Sequence, residues 1–283
     1  MKRPVDAVLA SEDTLHVALL DLLVCLGELR DDVVLVGGLV PELVIRLGGT
    51  RYVVTADIDL AVPLRSLTQE QRDRLLTVLN ESGFQQDEGQ PYRFVKDVKE
   101  ASGQPVRPVI VDILTGEASG VSSETRTQHV VELCAMPAPG CDLAFEYWQE
   151  MHVSVALPDG STRSRTIKVA GPEAWLPMKG MVLHTQRSPK DAYDIYYYVR
   201  NFEGGPEELV RLLRPCLTNE TVAEGLRKIK GKFGSPADWG PKAAAEEAER
   251  YGSPEDPEQT ARRAFEEISL LLDPLGLSPW PGH

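Results

Sequence analysis

The hydrophobic pattern changes character near residue 171, and this change limits the folds open to the chain more than any other feature. Before it, short apolar runs such as "DDVVLVGG" (31–38) and "PVIVDIL" (108–114) alternate with helical segments. After it, six successive segments show helical spacing, separated by Gly- and Pro-containing breaks such as "FEGGP". The sequence therefore predicts an α/β domain over 1–171 and a helical domain over 172–283.

Within the first domain, the periodicity and the stop signals predict individual elements. Thr68 is a plausible helix N-cap with Gln71 three residues on, and Gly83 is the expected end of that helix. We expect strands at 31–38, 58–62, 92–98 and 108–114, helices at 11–30, 39–49 and 68–83, and a hairpin over 151–171 turning at Asp159–Gly160.

The composition is that of an ordinary folded chain with an acidic surface. The 283 residues are 42% hydrophobic, and no apolar run approaches the roughly 20 residues that span a bilayer. The first residues resemble a signal peptide, but acidic residues interrupt the apolar part, so we interpret this segment as an amphipathic helix of a cytoplasmic protein. The net charge of −13 argues against a surface that coats nucleic acid and is compatible with binding of metal cations or a basic partner.

Four cysteines, Cys25, Cys134, Cys141 and Cys216, form neither a CxxC nor a CxxH pattern. A structural zinc site or a disulfide framework is therefore not expected. We interpret these residues as free thiols in a reducing compartment.

Two aspartates interrupt the apolar run "VVTADIDLAV". In a strand, residues two apart point to the same face, so Asp57 and Asp59 would project side by side while Ile58 and Leu60 enter the core. Two adjacent carboxylates repel each other, and a divalent cation between them removes the repulsion. Mg²⁺ prefers such oxygen ligands. Asp112 in "VIVDIL" would complete a set of three carboxylates able to hold two metal ions for in-line phosphoryl transfer.

A glycine pair precedes these carboxylates. Gly37 and Gly38 follow a predicted strand and precede a predicted helix, where glycines let backbone N–H groups approach a phosphate. A pair of glycines alone is also typical of a tight strand–helix turn. The ordered set is more specific: strand, Gly-Gly, helix, strand with Asp-x-Asp, and a later strand with Asp.

That ordered set resembles the nucleotidyltransferase superfamily related to DNA polymerase β, through "LVGG", "ADIDLAV" and "VIVDIL". The resemblance implies a core with a mixed sheet, followed along the chain by a helical C-terminal domain. It also implies that Asp57, Asp59 and Asp112 bind Mg²⁺ or Mn²⁺, that Asp112 activates the attacking hydroxyl, and that Gly37 and Gly38 embrace the triphosphate of an NTP substrate.

A second segment, "PMKGMVLHTQRSPKDAYDIYYYVRN" (177–201), is similar to the pattern K–x(7)–R–xx–KD–xx–D[IL]Y of the AbiEii/MenT toxins. These are nucleotidyltransferases of type IV toxin–antitoxin and abortive-infection systems. The resemblance implies that Lys179 binds the triphosphate and that Asp194 is a further active-site carboxylate. It makes Arg187, Lys190 and Asp191 nucleotide contacts, although the same residues also suit an ordinary helix start with Tyr193, Tyr196 and Tyr197 packed inward.

Three functions are compatible with these motifs. The first is a toxin-like enzyme that transfers a nucleotide to the 3′ end of tRNA or to a protein, with a cognate antitoxin as a further partner. The hairpin cations Arg163, Arg165 and Lys168 could contact RNA there, or could simply be solvated. The second is a nucleotidyltransferase that modifies a cationic aminoglycoside, which the acidic composition favours. The third is a binding module with the same fold and no catalysis.

Overall fold

The computed structural model describes residues 5–9, 14–45, 57–98, 108–117, 132–156 and 162–281. All of its described strands join one mixed sheet, in the order β1-β8-β9-β2-β3-β6-β5-β4, with β7 paired to β6. The strands are β1 (Val5–Leu9), β2 (Val34–Val36), β3 (Asp57–Ala61), β4 (Gln85–Gln86), β5 (Arg93–Lys96), β6 (Val109–Thr115), β7 (Met136–Pro137), β8 (Trp148–Ala156) and β9 (Thr162–Ala170).

Parallel and antiparallel pairs alternate around the middle of this sheet. Strand β3 runs antiparallel to β2 and parallel to β6, while β5 runs antiparallel to β6. The helices accompanying the sheet are α1 (Thr14–Leu26), α2 (Val40–Val44), α3 (Gln69–Glu81) and α4 (Leu143–Glu146). Helix α1 packs on β8 and β9, and its Leu19, Leu22 and Leu26 are fully buried. Because β2 and β6 pair with its two edges, β3 is an interior strand of the sheet.

Six helices follow the sheet: α5 (Pro172–Gln186), α6 (Pro189–Asn201), α7 (Gly205–Leu213), α8 (Glu220–Lys232), α9 (Trp239–Arg250) and α10 (Pro257–Leu272). Helices α5 and α8 cross closely because Gly180 and Gly225 face each other: a Cβ at Gly180 would lie 2.1 Å from the Gly225 carbonyl oxygen. Trp175 stacks on Tyr198 with ring centroids 4.4 Å apart, which ties α5 to α6. In the described residues, we find no helix with the length and apolar character needed to cross a bilayer.

The chain divides into two compact units. The sheet and helices α1, α3 and α4 belong to the first unit, formed by Met1–Val40 and Val54–Ala170. The second unit contains the six later helices and combines Gly171–His283 with Pro41–Val53. Most of α2 thus belongs to the second unit, although the sequence analysis placed it in the first domain.

The predicted fold class, a mixed α/β part followed by helices, is confirmed. The capping box of α3 is also confirmed, since the Thr68 hydroxyl accepts from the Gln71 N–H and the Gln71 side chain accepts from the Thr68 N–H. The hairpin of β8 and β9 forms, whereas its predicted turn at Asp159–Gly160 lies outside the described residues. All four cysteines are free.

Some predicted elements were wrong in kind or in extent. The first residues were expected to be helical, but Val5–Leu9 form β1, which pairs in parallel with β8. The helix expected over 11–30 ends at Leu26, and Gly27–Asp31 continue as a 3₁₀ turn. The helix expected over 39–49 is shorter: Leu39 ends the preceding 3₁₀ turn and α2 spans Val40–Val44. Ile45 is not helical, and 46–49 lie outside the described residues. Short elements β4, β7 and α4 were not predicted.

Candidate functional site

The predicted carboxylates of the first unit lie on neighbouring strands in register. Asp59 on β3 is the direct partner of Asp112 on β6, and Asp57 precedes Asp59 by two residues on the same strand. Residues opposite each other in a ladder share a face of the sheet, as do residues two apart on a strand. Asp57 and Asp59 are half-buried, between the fully buried Ile58 and Leu60. The sheet therefore brings the three carboxylates to one face, as the sequence predicts.

Gly37 lies directly beside this row. It follows β2, whose Val36 is the partner of Asp59, and its φ of +72° is in the left-handed region. A Cβ at Gly37 would fall 1.8 Å from Oδ2 of Asp59. Only glycine combines that conformation with that close approach. Gly38 is buried in the 3₁₀ turn that leads into α2. The glycine pair thus forms the predicted turn, and Gly37 leaves the space that the Asp59 carboxylate occupies.

Arg93 is a site residue that the sequence analysis missed. It stands on β5 as the register partner of Asp112, and its guanidinium donates two hydrogen bonds to that carboxylate, from Nε at 2.8 Å and from Nη2 at 2.7 Å. These bonds, with the Asp112 and Asp57 charges, raise the pKa of Arg93 further above its ordinary value. The signal was an arginine in the predicted strand 92–98, but only the strand register shows which carboxylate it meets.

The donor chemistry of β3 fits Mg²⁺, with one restriction. Asp57 and Asp59 supply two carboxylates side by side, and Mg²⁺ is usually bound by one or two carboxylates with waters and substrate phosphates as its other ligands. Among the described residues, no group of three or more His, Cys, Asp or Glu side chains is arranged to hold a metal ion. Asp112 is engaged by Arg93 instead. A complete three-carboxylate cage is therefore not preformed.

The predicted site residues of the second unit form a charge network of their own. Lys179 on α5 donates to Asp191 Oδ1 at 2.5 Å and to Asp194 Oδ2 at 2.7 Å, both on α6. Lys190 also donates to Asp194, at 3.1 Å. Ser188 caps α6, its hydroxyl accepting from the Asp191 N–H. The positive charges of the two lysines thus neutralise the negative charges of the two aspartates where α5 and α6 meet.

Burial and the neighbouring charges shift the pKa of Lys179 in opposite directions. Burial lowers the pKa of its ammonium group, but the Asp194 and Asp191 carboxylates outweigh burial, so the pKa is raised. The Asp194 side chain is only 1% exposed. Lys179 therefore stays charged at neutral pH and can act as a cation but not as a general base.

Arg187 lies apart from that network, in a group of cations. It ends α5 with a φ of +49°, the left-handed region that non-glycine residues seldom occupy. Burial lowers the pKa of His184, and the charges of Lys228, Lys232 and Arg187 lower it further. Arg187 therefore shares its surroundings with His184 and Lys232.

The cations of the predicted basic hairpin have local partners. Arg163 pairs with Asp21 at 3.4 Å, and Arg165 donates to the carbonyl oxygen of Ser164. Lys168 donates to the Asp31 carbonyl oxygen, and its ammonium lies 4.5 Å from the centre of the Trp148 ring. These contacts favour the solvated-hairpin interpretation over a dedicated RNA groove.

The comparisons with known proteins add little to this geometry. The chain matches no protein-family model and no curated protein. A solved structure, an antigenic nucleotidyltransferase-like protein from Paracoccidioides brasiliensis, is similar at 17% identity and a TM-score of 0.41. The similarity covers 75% of this chain and 94% of that chain. Because the identity and the TM-score are both low, the functional assignment depends on the residues and contacts described above.

Proposed function

We propose that this chain is a metal-dependent nucleotidyltransferase that moves a nucleotide from an NTP to an acceptor hydroxyl. The observation that carries the proposal is the strand register. It aligns Asp59 with Asp112, keeps Asp57 on the same face, and places the Gly37 turn against Asp59. Side-by-side carboxylates next to a glycine turn form a site suited to a cation and a phosphate together.

In this proposal, Asp57 and Asp59 would hold Mg²⁺ or Mn²⁺. The ion supplies charge neutralisation on the transferring phosphate. The turn at Gly37 and Gly38 brings backbone close to the triphosphate, since neither glycine carries a side chain of its own. Asp112 accepts the proton of the attacking hydroxyl as that oxygen bonds to the α-phosphorus of the NTP and pyrophosphate leaves. Arg93 orients the Asp112 carboxylate through two hydrogen bonds.

The residues of the second unit that the resemblance singles out are proposed to bind nucleotide phosphates. Lys179 and Asp194, with Arg187, Lys190 and Asp191, are assigned this role by the resemblance of 177–201 to the AbiEii/MenT pattern. Lys179 has the fixed positive charge that a triphosphate requires. The same resemblance supports tRNA 3′ ends as the acceptor and an antitoxin as partner. The net charge of −13 instead supports a cationic small-molecule acceptor such as an aminoglycoside.

A second candidate function follows from Arg93. A guanidinium bound through two hydrogen bonds to the third carboxylate competes with a metal ion for the same oxygens. That arrangement favours a module that binds a nucleotide without transferring it. The two functions differ in whether labelled nucleotide becomes attached to an acceptor.

The test incubates the full chain and Mg²⁺ with each α-labelled NTP, with total tRNA or an aminoglycoside as acceptor. The control is the chain carrying Asp57→Asn and Asp59→Asn. Label on tRNA with the unmodified chain alone supports the toxin-like enzyme. Label on the aminoglycoside alone supports the second acceptor class. Nucleotide binding without transfer supports the binding module, and no nucleotide binding contradicts all three.

A further inference from the structure

The second unit contains a cavity of about 400 Å³ that the proposed chemistry does not use. We call it the tyrosine cavity, defined by Tyr193, Tyr196, Tyr197, Tyr251, Arg200 and Arg263. Helix α6 supplies three of the tyrosines and Arg200, and the segment from the end of α9 into α10 supplies the rest. Its volume falls in the range of roughly 300–1,000 Å³ of small-molecule sites.

The aromatic side of the cavity presents rings with protonated hydroxyls. Tyr193 packs on Tyr196, Tyr197 and Tyr251, with ring centroids 5.3 to 6.4 Å apart. Burial raises the pKa of Tyr193 to about 12 and also raises the pKa of Tyr196, Tyr197 and Tyr251. At neutral pH these side chains are therefore uncharged, and the Tyr251 hydroxyl donates to the Glu247 carboxylate. Such surfaces suit a planar heteroaromatic ring.

The charged side of the cavity carries an excess of positive charge. Arg263 binds Glu255 through both of its terminal nitrogens, at 2.5 and 3.0 Å, and Arg200 lies 3.7 Å from the same carboxylate. Arg200 also donates to the Tyr196 hydroxyl. Two guanidinium groups thus share one carboxylate. A phosphate presents the same paired oxygens as that carboxylate and can replace it on the two arginines.

A buried hydroxyl belongs to a residue in the wall of the cavity. Thr260 lines the cavity and is 2% exposed, and its Oγ1 has no hydrogen-bond partner among the described residues. A buried polar atom without a partner costs free energy unless a ligand or a water satisfies it. Thr260 belongs to α10, one turn before Arg263, so both side chains serve the same cavity.

We infer that the tyrosine cavity binds one nucleotide unit, a planar base carrying a phosphate, supplied either as a free mononucleotide or as the unpaired end of an RNA chain. The rings accommodate the base and the two arginines bind the phosphate in place of Glu255. This site involves none of the residues proposed for nucleotide transfer.

Calorimetric titration of the full chain carrying Asp57→Asn and Asp59→Asn tests this inference without depending on transfer. The probes are AMP, CMP, GMP, UMP, inorganic phosphate and a single-stranded tetraribonucleotide. We expect Arg263→Gln to weaken nucleotide binding by about ten-fold or more, because it removes charged hydrogen bonds. Glu255→Gln should strengthen binding, because the competing carboxylate is gone. Arg262→Gln, on the exposed neighbour of Arg263, should leave the affinity unchanged.

The outcomes separate the sources of the ligand and can contradict the inference. Equal binding of a mononucleotide and the tetranucleotide indicates a free nucleotide, and much tighter binding of the tetranucleotide indicates an RNA end. The inference is wrong if none of the nucleotide probes binds at millimolar concentration, or if phosphate alone binds as tightly as the mononucleotides. It is also wrong if Arg262→Gln and Arg263→Gln change the affinity equally.

Discussion

Arg93 and Asp112 show how one side-chain pair can serve both stability and chemistry. The Asp112 side chain is 8% exposed, so it needs a partner whether or not a metal ion binds nearby. Arg93 provides that partner with two parallel hydrogen bonds. These two hydrogen bonds also fix the orientation of the Asp112 carboxylate oxygens. The same contact can therefore orient a base in an enzyme or occupy the third carboxylate in a binding module.

Removing Arg93 alone should be costly to the fold. We expect Arg93→Gln to lower the free energy of unfolding by about 3 kcal/mol, because a buried carboxylate loses its cation. Asp112→Asn in the same chain should recover part of that loss, because it removes the uncompensated charge. Urea denaturation of the two single variants and the double variant measures this coupling. Strictly additive losses would show that the pair has no net interaction.

Lys179 and Lys190 both contact Asp194, but only Lys179 is buried: its side chain is 11% exposed, against 34% for Lys190. The two lysines therefore make a matched comparison. Lys179→Met should lower the free energy of unfolding by about 3–5 kcal/mol, since two carboxylates lose their shared cation. Lys190→Met should cost less than about 1 kcal/mol. Equal losses in urea denaturation would contradict the network as described.

The pH dependence of the same pair follows from the raised pKa of Lys179. A group whose pKa is higher in the folded state than in the unfolded state stabilises the folded state. This contribution is fully present at any pH below the unfolded pKa, about 10.4 for lysine. That contribution is lost as the pH rises through the folded value. The difference in the free energy of unfolding between the unmodified chain and Lys179→Met should therefore be constant from pH 7 to 9. It should narrow only at strongly alkaline pH.

At the scale of elements, local signals were predictable and distant pairings were not. The capping box of α3 is encoded by Thr68 and Gln71, three residues apart, and it forms as expected. Strand β1 was missed because a short apolar run does not distinguish strand from helix by periodicity. Its partner is β8, more than 140 positions later, with Val5 opposite Met151. No local sequence pattern predicts a pairing between segments so far apart in the chain.

The crossing of α5 and α8 yields a prediction about packing. Gly180→Ala should lower the free energy of unfolding by about 1–3 kcal/mol, because its methyl group would meet the Gly225 carbonyl at 2.1 Å. Gly231→Ala in α8 is the matched control, since its Cβ would find the nearest atom at 3.4 Å. That control should be neutral or stabilising, by up to about 1 kcal/mol from helix propensity. Equal effects in thermal denaturation would contradict the close crossing.

At the scale of the whole molecule, each unit assembles one group of the predicted site residues. The sequence predicted that Asp57, Asp59 and Asp112 share a face, because alternation along a strand is a local rule. It could not predict that Arg93 meets Asp112, because that contact depends on β5 lying next to β6 in a particular register. Nor could it predict the tyrosine cavity, whose lining comes from α6 and from the end of α9 and the start of α10.

The proposal of nucleotide transfer depends on the two carboxylates of β3. If they hold the metal ion that neutralises the transferring phosphate, their amides cannot replace them, since an amide brings no negative charge. Each substitution keeps the size of the side chain, so the fold should persist. Asp97, exposed just after β5, is a matched position outside the carboxylate row.

The most direct measurement is the rate of nucleotide transfer by Asp57→Asn, Asp59→Asn and Asp97→Asn, each checked for folding by circular dichroism. We expect the first two variants to lose roughly a thousand-fold in rate, since metal binding supplies several kcal/mol of transition-state stabilisation. Asp97→Asn should retain the full rate. A folded Asp57→Asn variant with undiminished transfer would contradict the assignment of the β3 carboxylates as metal ligands.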